Sequence, residues 1–403
     1  MPTLEADIAV IRGRVKEGFS IPFPIDTYYD VVILPGFSDT HAHPQVIDAG
    51  LRHGLYWSSS YEWLLLRELN VDEAAIRADI GLSSALAELA LKRALLEGTT
   101  LIAFTGRFEA NLKAFIKLPV RPRLVVLPTV MKRKGWVSPS ELEALFDRYR
   151  KFMRDDLLRV GVFVHSLAYG GPDFISESMR LAVRMRAPLG MHLSEGVSEK
   201  RDFLSYACCL DNLSLIAVHC LDDDYRDVGA RCSSCPGSNA VLYRRILDDF
   251  NRITSFGSDW PHLIGTTGSQ IPFILKLYKG VEGEVLFKAT VGGYEDYGIP
   301  YAGDIIAYDG SLKKVLGGGG LPRLVSVAGN IAVEEGRLVF SGETLDDIIK
   351  TTRETIAYAV DVYGTGEMPH IPARQELEEY MMEALSRAGG VKVEVGGAAR
   401  KRV

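Results

Sequence analysis

The sequence predicts an α/β protein whose largest part is a (β/α)₈ TIM barrel. Three observations support this fold class. Between residues 31 and 259, apolar segments alternate with helical segments, giving eight strands over about 230 residues, the usual size of such a barrel. The strands are mostly continuous apolar runs, which suits a parallel sheet buried on both faces. Histidine and aspartate side chains follow several of these runs, and barrel enzymes place their active sites at the carboxyl ends of their strands.

Each predicted barrel strand is bounded by a helix or by a turn signal. Gly98 ends a long amphipathic helix predicted over residues 72–97, and Ser138 or Ser140 is the expected N-cap of a helix over residues 138–153. The predicted barrel strands cover residues 31–34, 101–104, 123–130, 160–164, 188–193, 213–218, 230–234 and 252–258.

The segments outside the barrel differ from it in pattern. Residues 7–34 form short alternating segments with turn signals, which predicts a few strands of a small sheet. Near the other end, residues 345–363 and 374–388 predict two helices that carry no motif. These helices either pack on the barrel or mediate formation of a homodimer.

The composition limits the partners and the location of the protein. A formal net charge of −6 argues against nucleic acid as the main partner. No apolar run approaches the length of a bilayer, so we expect a soluble protein that binds a small-molecule substrate and no membrane. All five cysteines lie within residues 208–235. An odd number in one region indicates free thiols in a reducing compartment, and therefore a cytoplasmic location.

The histidines are sorted in a way that predicts a metal site. Five of the eight histidines lie at the carboxyl ends of predicted strands, as does one aspartate. The first two are separated by one residue, so in extended backbone their side chains lie on the same face. Neutral imidazole is the commonest protein ligand for metals, and chance surface histidines would not converge on one face of a barrel. These residues are His41, His43, His165, His192, His219 and Asp259.

Six segments together resemble motifs of the amidohydrolase superfamily, and within it the branch of cytosine deaminase and the triazine hydrolases. They are residues 35–43 (PGFSDTHAH), 164–169 (VHSLAY), 191–195 (MHLSE), 217–220 (AVHC), 235–239 (CPGSN) and 257–259 (GSD). The resemblance covers roughly residues 7–340. It implies a small β-sandwich built from residues 1–34 and 300–342, a metallo-hydrolase barrel over residues 35–299, and a C-terminal helical extension over residues 343–403.

The chemistry of the site follows from its donor set. Three histidines and one carboxylate around a divalent cation leave a coordination position for water. The predicted ligands are His41, His43, His192 and Asp259, around one divalent metal, with zinc expected first and iron as the alternative. No lysine lies within residues 160–165, so the carboxylated lysine that bridges two metals in other branches is absent.

Three residues are predicted to act in catalysis. Glu195 lies three residues beyond His192, where it can take the proton of the water and deliver it to the leaving nitrogen. Asp259 is both a predicted ligand and a proton acceptor. His219 either binds the metal or orients the water and polarises the substrate, and the resemblance favours the second role because that branch uses one metal.

Four further residues are predicted to contact a planar substrate. Trp57 lies in an aromatic stretch after the histidine pair, His165 ends a strand, and Trp260 and His262 follow Asp259. The predicted function is hydrolysis of a C–N bond by metal-activated water, with deamination of an amino-substituted heterocycle expected first. An amide or lactam-ring hydrolase and a catalytically inactive barrel scaffold are the alternatives.

Overall fold

The computed structural model describes residues 1–318 and 320–392, in which strands and helices largely alternate. The strands are β1 (Thr3–Ile11), β2 (Arg14–Pro22), β3 (Thr27–Leu34), β4 (Phe37–Ala42), β5 (Thr99–Gly106), β6 (Arg123–Val130), β7 (Leu158–Val160), β8 (Val162–Val164), β9 (Pro188–Leu193), β10 (Ser214–His219), β11 (Arg231–Ser234), β12 (Ser255–Phe256), β13 (Ile305–Tyr308), β14 (Leu324–Val327), β15 (Asn330–Glu334) and β16 (Arg337–Leu338). The α-helices are α1 (Ser60–Leu66), α2 (Glu73–Ala78), α3 (Ile80–Leu96), α4 (Phe108–Lys117), α5 (Pro139–Tyr149), α6 (Leu167–Met185), α7 (Lys200–Tyr206), α8 (Pro236–Tyr243), α9 (Pro261–Ile264), α10 (Thr267–Leu277), α11 (Glu282–Phe287), α12 (Gly293–Tyr297), α13 (Leu312–Leu316), α14 (Leu345–Tyr363) and α15 (Arg374–Arg387).

The barrel is a parallel sheet in the order β4-β5-β6-β8-β9-β10-β11-β12, with β7 and β8 as two halves of the fourth strand. It closes between β12 and β4, where the N–H of Asp259 donates to the carbonyl of His41 (2.8 Å) and the N–H of His43 donates to the carbonyl of Asp259 (2.6 Å). Gly257 permits this approach, because a Cβ there would lie 2.8 Å from the Cβ of His41. The predicted barrel is confirmed, and its closing seam carries three of the predicted site residues.

The first barrel strand differs from the prediction. The segment predicted as that strand, residues 31–34, belongs to β3 of a second sheet, and the first barrel strand is β4, which contains His41 itself. Gly36 marks the passage between the sheets: its N–H donates to the carbonyl of Asp304, and a Cβ on it would lie 2.2 Å from Oγ1 of Thr100 on β5. Both strands are buried, so apolar composition alone could not separate them.

The second sheet is formed by the chain segments that precede and follow the barrel. Its order is β16-β15-β14-β13-β3-β1-β2, with β1 and β3 parallel and β13 antiparallel to β3. The segments predicted to form a small β-sandwich therefore lie in one continuous seven-stranded sheet. A buried ion pair ties this sheet to the barrel, because Nε of Arg123 on β6 lies 3.0 Å from Oδ2 of Asp304.

The helices follow the predicted pattern, except that one predicted helix is divided into two. The helix predicted over residues 72–97 is two helices, α2 and α3, because the carboxylate of Asp79 accepts from the N–H of Leu82 and caps α3. Ser138 caps α5, with Glu141 as its capping-box partner. None of the helices in the described part of the chain is both long and apolar enough to cross a membrane.

The two C-terminal helices pack on the barrel. Ile356 and Val360 of α14 lie in one apolar cluster with Ile76 of α2 and with Leu82 and Leu86 of α3. Helix α15 packs against α8, where the guanidinium of Arg244 lies 3.5 Å from the ring centre of Tyr380. Packing on the barrel is thus one predicted role that these helices fulfil. The end of the predicted extension, residues 393–403, lies outside the described residues.

Candidate active site

Four of the predicted site residues meet at the carboxyl ends of the barrel strands. The Nε2 atom of His41 lies 3.0 Å from Nε2 of His43 and 3.1 Å from Nε2 of His192, and the last two atoms are 3.3 Å apart. Oδ1 of Asp259 lies 3.5 Å from Nε2 of His41 and 3.4 Å from Nε2 of His43. We call these four side chains the metal-ligand cluster.

The donors of this cluster fit a divalent metal. Burial lowers the pKa of His41, and burial together with the neighbouring imidazoles holds the pKa values of His43 and His192 well below the usual value, so the three rings are neutral. A neutral imidazole carries one proton, so three Nε2 atoms in mutual contact cannot satisfy one another. Their separations match the edge of about 3.3 Å expected for a tetrahedron with metal–nitrogen bonds of about 2.0–2.1 Å.

Asp259 brings the negative charge of the cluster. Burial alone would raise the pKa of this carboxyl group, but the hydrogen bond with His41 and the electrostatic interactions with the His43 and His219 rings outweigh burial and lower the pKa. The side chain is therefore a carboxylate next to three neutral nitrogens. A carboxylate with three imidazoles is a donor set that zinc or iron accepts.

His219 lies beside the cluster with a defined ring orientation. Its Nδ1 atom lies 2.9 Å from Oδ1 of Asn239, an acceptor, so Nδ1 carries the proton and Nε2 faces the site. A ring nitrogen of His219 lies within 4.8 Å of those of His41 and His192. Its Nε2 atom is also 3.5 Å from Oε1 of Glu195. This position is compatible with both predicted roles, direct ligation and orientation of a water molecule.

Glu195 has the environment of a proton carrier. Its carboxylate accepts a hydrogen bond of 2.6 Å from the hydroxyl of Tyr243, and both side chains are buried. Burial raises the pKa of Glu195 to about 7, although His219 and the Tyr243 hydroxyl oppose the increase. A carboxyl group with a pKa near the working pH can both accept and return a proton.

The backbone at the strand ends is held in an uncommon conformation. Ser194, His219 and Asp259 all have φ between 55° and 73°, the left-handed region that residues other than glycine rarely occupy. Such conformations cost of the order of 1–3 kcal/mol each and persist where the surrounding structure enforces them, often at active sites. Here they follow strands β9, β10 and β12, where they turn the chain at the edge of the metal-ligand cluster.

A cavity of about 440 Å³ opens above the metal-ligand cluster. Its walls are aromatic: the ring centres of Trp63 and Trp260 are 5.8 Å apart, and those of His165 and Tyr169 are 5.2 Å apart. Burial and the nearby charge of Arg67 lower the pKa of His165 to about 3, so this ring is neutral. These flat aromatic side chains next to the cluster suit a planar substrate.

The structure separates the four predicted substrate contacts into two pairs. His165 and Trp260 line the cavity, whereas Trp57 and His262 do not. Nε2 of His262 lies 3.0 Å from the carbonyl of Pro44 and 3.1 Å from that of Leu86, and burial lowers the pKa of the ring to about 4. His262 is therefore a buried packing residue with backbone partners. Trp57 is also buried and does not line the cavity, so the structure does not place it against a substrate there.

Sequence reasoning missed much of the cavity wall. Tyr61 and Trp63 lie in the aromatic stretch after the histidine pair, so a local signal for them existed. Arg77 and Trp136 also line the cavity, from helix α2 and from the loop after β6. A single arginine on a helix, such as Arg77, gives no indication in the sequence that it lines a cavity. The fold brings α2 over the barrel and so places it there.

Many solved structures share the fold, and three of them are compared with this chain below. A variant of atrazine chlorohydrolase from Arthrobacter aurescens TC1, complexed with zinc and atraton, is 17% identical, with a TM-score of 0.69 over 88% of this chain and 100% of that chain. An adenosine deaminase from Xanthomonas campestris with bound zinc is 16% identical, with a TM-score of 0.66 over 89% and 98% of the two chains. The aminofutalosine deaminase of Helicobacter pylori, in complex with methylthio-coformycin, is 14% identical, with a TM-score of 0.60 over 83% and 100%.

The family comparison agrees with the motifs. The amidohydrolase family model matches residues 32–207, which include His41, His43, His192 and Glu195. Residues 32–207 are thus similar to an amidohydrolase domain. Among curated proteins, none matches the sequence. The family match over residues 32–207 and the metal-ligand cluster at the base of the cavity together mark this chain as a metal-dependent hydrolase.

Proposed function

We propose that the protein hydrolyses a C–N bond of an amino-substituted heterocycle and releases ammonia. The observation that carries the proposal is the position of Glu195, whose carboxyl group with a pKa near 7 shares one cavity with the metal-ligand cluster. Deamination needs a group that takes a proton from water and returns one to the leaving nitrogen, and this pKa suits both steps. The aromatic walls of Trp63 and Trp260 are consistent with a planar ring.

His41, His43, His192 and Asp259 would hold one divalent metal, and we propose zinc. Three imidazoles and one carboxylate are a donor set that zinc favours, and iron is the alternative. When bound, the metal supplies a Lewis acid that lowers the pKa of a water molecule to about 7. Two of the three structural neighbours contain zinc, which supports the choice.

The protein side chains then divide the proton chemistry among them. Glu195 in its carboxylate form accepts a proton from the attacking water, and in its protonated form donates it to the leaving nitrogen, so that water replaces the amino group and ammonia departs. Tyr243 holds the carboxylate in place through its hydrogen bond. His219 faces the same space with Nε2 and would orient the water, and Asp259 is the second proton acceptor within the cluster.

The two alternative functions differ in whether they need the metal-ligand cluster and Glu195. An amide or lactam-ring hydrolase would employ the same cluster and Glu195, so the product distinguishes it from a deaminase. A catalytically inactive scaffold needs neither the cluster nor a buried carboxyl group with a raised pKa. Burying groups that do not satisfy one another costs free energy, which a scaffold has no reason to retain.

Ammonia release by the metal-replete protein across a panel of purines, pyrimidines and triazines tests the proposal. We expect ammonia from at least one compound, and loss of at least about 100-fold in turnover for Glu195→Gln with fold and metal content retained. Glu143→Gln, on the outer helix α5 and paired with Arg184, is the matched control and should match the wild type. Hydrolysis of amides or lactams without ammonia, or near-normal turnover of Glu195→Gln, would contradict the proposal.

A further inference from the structure

One wall of the cavity carries a guanidinium that is paired with no acidic side chain in the described part of the chain. Arg77 of helix α2 lines the cavity, with its guanidinium 3.9 Å from the ring centre of Trp136. Within residues 1–318 and 320–392, its Nε atom is buried without a hydrogen-bond partner, and no carboxylate lies within 4.0 Å of its nitrogens. A buried donor without an acceptor is rare in a folded protein and calls for an explanation.

The acidic groups nearest in sequence are already engaged. Oε2 of Glu73 lies 2.7 Å from a guanidinium nitrogen of Arg67. The carboxylate of Asp72 caps helix α2, accepting from the N–H groups of Ala74 (2.9 Å) and Ala75 (3.1 Å). Arg77 therefore differs from Arg67, which lines the same cavity with its charge paired.

Further positive charge lies on the same wall. Arg133 and Lys134, in the loop after β6, also line the cavity, and Arg133 stands 6.0 Å from the ring centre of Tyr169. Burial lowers the pKa of Arg77, and the like charge of Arg133 adds to this effect. Like charges gathered around a cavity repel one another unless an anion lies between them.

We propose that this wall, formed by Arg77, Arg133, Lys134 and Trp136, binds an acidic group of the substrate, a carboxylate or a phosphate. The inference rests on the proposed function and extends it, because the amino-bearing ring would occupy the metal-ligand cluster while its acidic substituent reaches the wall. A guanidinium offers a fork of donors that matches two oxygens of either group, and stacking on Trp136 holds the plane of that fork.

Equilibrium binding of small probes tests this inference without relying on turnover. Benzoate, phenylphosphonate and the neutral benzamide are titrated into the metal-replete protein by calorimetry. We expect at least one anion to bind about tenfold or more tightly than benzamide, and Arg77→Gln to remove most of that difference, as expected for loss of a charge-assisted hydrogen bond. Benzoate against phenylphosphonate shows which of the two acidic groups is preferred.

A matched control and a second variant keep the test decisive. Lys132→Gln removes a positive charge from the same loop, but Lys132 is paired with Asp173 and does not line the cavity, so it should keep the anion preference. Arg133→Gln, in an exposed loop, should weaken anion binding, and it serves if Arg77→Gln does not fold. An anion preference that persists in both Arg77→Gln and Arg133→Gln would overturn the inference and would point to direct binding of the anion by the metal.

The two proposals fail separately. Ammonia release without any anion preference that depends on Arg77 and Arg133 would overturn the anion-binding wall and leave the proposed function standing. Anion binding that depends on these residues, without ammonia release from neutral or acidic heterocycles, would overturn the proposed function alone.

Discussion

Two groups of buried polar residues share strands β4 and β12 of the barrel but differ in how their side chains are hydrogen-bonded. The metal-ligand cluster lies at the carboxyl ends of β4, β9 and β12. Deeper in the barrel, a second group joins β4, β11 and β12 to helix α12, and we call it the Asp296 network; it consists of Thr40, Ser233, Thr254, Ser255 and Asp296. In this network donors meet acceptors: the hydroxyls of Thr254 and Ser255 donate to Oδ2 of Asp296 at 2.7 and 2.6 Å. In the cluster, three Nε2 atoms face one another at 3.0–3.3 Å.

The difference teaches how to recognise a functional polar group in a core. A buried network whose donors and acceptors are matched needs nothing further and contributes to stability. A buried cluster whose members present the same kind of atom to one another is complete only with a ligand. The Asp296 network is thus structural, whereas the metal-ligand cluster requires a cation. Substitutions in the metal-ligand cluster and in the Asp296 network therefore test this difference.

The largest effect is expected from His192→Ala. Removing one of three nitrogen ligands should strip the metal and lower turnover by more than about 1000-fold, because the water then loses the Lewis acid that lowers its pKa. Elemental analysis after mild dialysis, together with a turnover assay, measures both quantities. The matched variant is Ser233→Ala in the Asp296 network, which should keep one equivalent of metal and lose only about 1–3 kcal/mol of stability. Equal metal content in the two variants would contradict the assignment of His192.

His219→Ala distinguishes a ligand from an orienting residue. We expect this variant to retain the metal and to lose about 3–4 kcal/mol of transition-state stabilisation, the usual cost of removing one oriented donor at a developing charge. Metal content and turnover are measured on the same preparation. If the metal is lost as completely as in His192→Ala, His219 is a ligand. If activity is unchanged, His219 belongs with the matched polar groups of the core.

The sequence predicts the cluster better than the network for a physical reason. Histidines are few in this chain, and their position at the ends of apolar strands is a visible pattern. Thr40 and Ser255 lie inside strands, where hydroxyl side chains are common, so no pattern marks them. Two other features depend on tertiary structure alone: the left-handed backbone at Asp259 and the contact of His262 with two backbone carbonyls.

The same limit explains the errors in the fold. The alternation of strands and helices predicts the barrel, because periodicity is a local property of the chain. Which sheet a buried strand joins is not local. Residues 31–34 pair with β1 and β13, and the close packing of Gly36 on Thr100 marks where the barrel begins. The anion-binding wall was missed because Arg77 reaches the cavity through the packing of α2 over the barrel.

Asp296→Asn tests the network through the pH dependence of stability. Burial raises the pKa of Asp296 to about 6, although the hydroxyls of Ser255 and Thr254 oppose the increase. The folded state therefore binds more protons than the unfolded state between about pH 4 and pH 6, so this group makes stability fall as the pH rises through that window. We expect Asp296→Asn to flatten the urea-denaturation stability curve by about 1–3 kcal/mol across it. The exposed Asp147→Asn is the control, and an unchanged slope in Asp296→Asn would contradict the raised pKa.

The smallest effect is expected from Tyr243→Phe, which removes a hydrogen bond to Glu195 beside the metal-ligand cluster. Tyr243 and Glu195 are a matched pair, donor to acceptor at 2.6 Å, yet Glu195 also lines the cavity above the metal-ligand cluster. Removing the hydroxyl leaves the carboxylate less stabilised, so the pKa of Glu195 should rise from about 7. Because Glu195 must be deprotonated to accept the proton of water, the acidic limb of the pH–rate profile should move to higher pH.

Turnover of Tyr243→Phe at neutral pH should fall by about tenfold, the cost of one hydrogen bond to a charged group. The control is Tyr278→Phe, a tyrosine as deeply buried whose hydroxyl donates to the carbonyl of Leu247 at 2.8 Å, away from Glu195. That variant should lose some stability and keep the wild-type pH profile. A shifted acidic limb in both variants would show that the effect arises from general loosening of the core. An unshifted limb in Tyr243→Phe would remove this tyrosine from the positioning of Glu195.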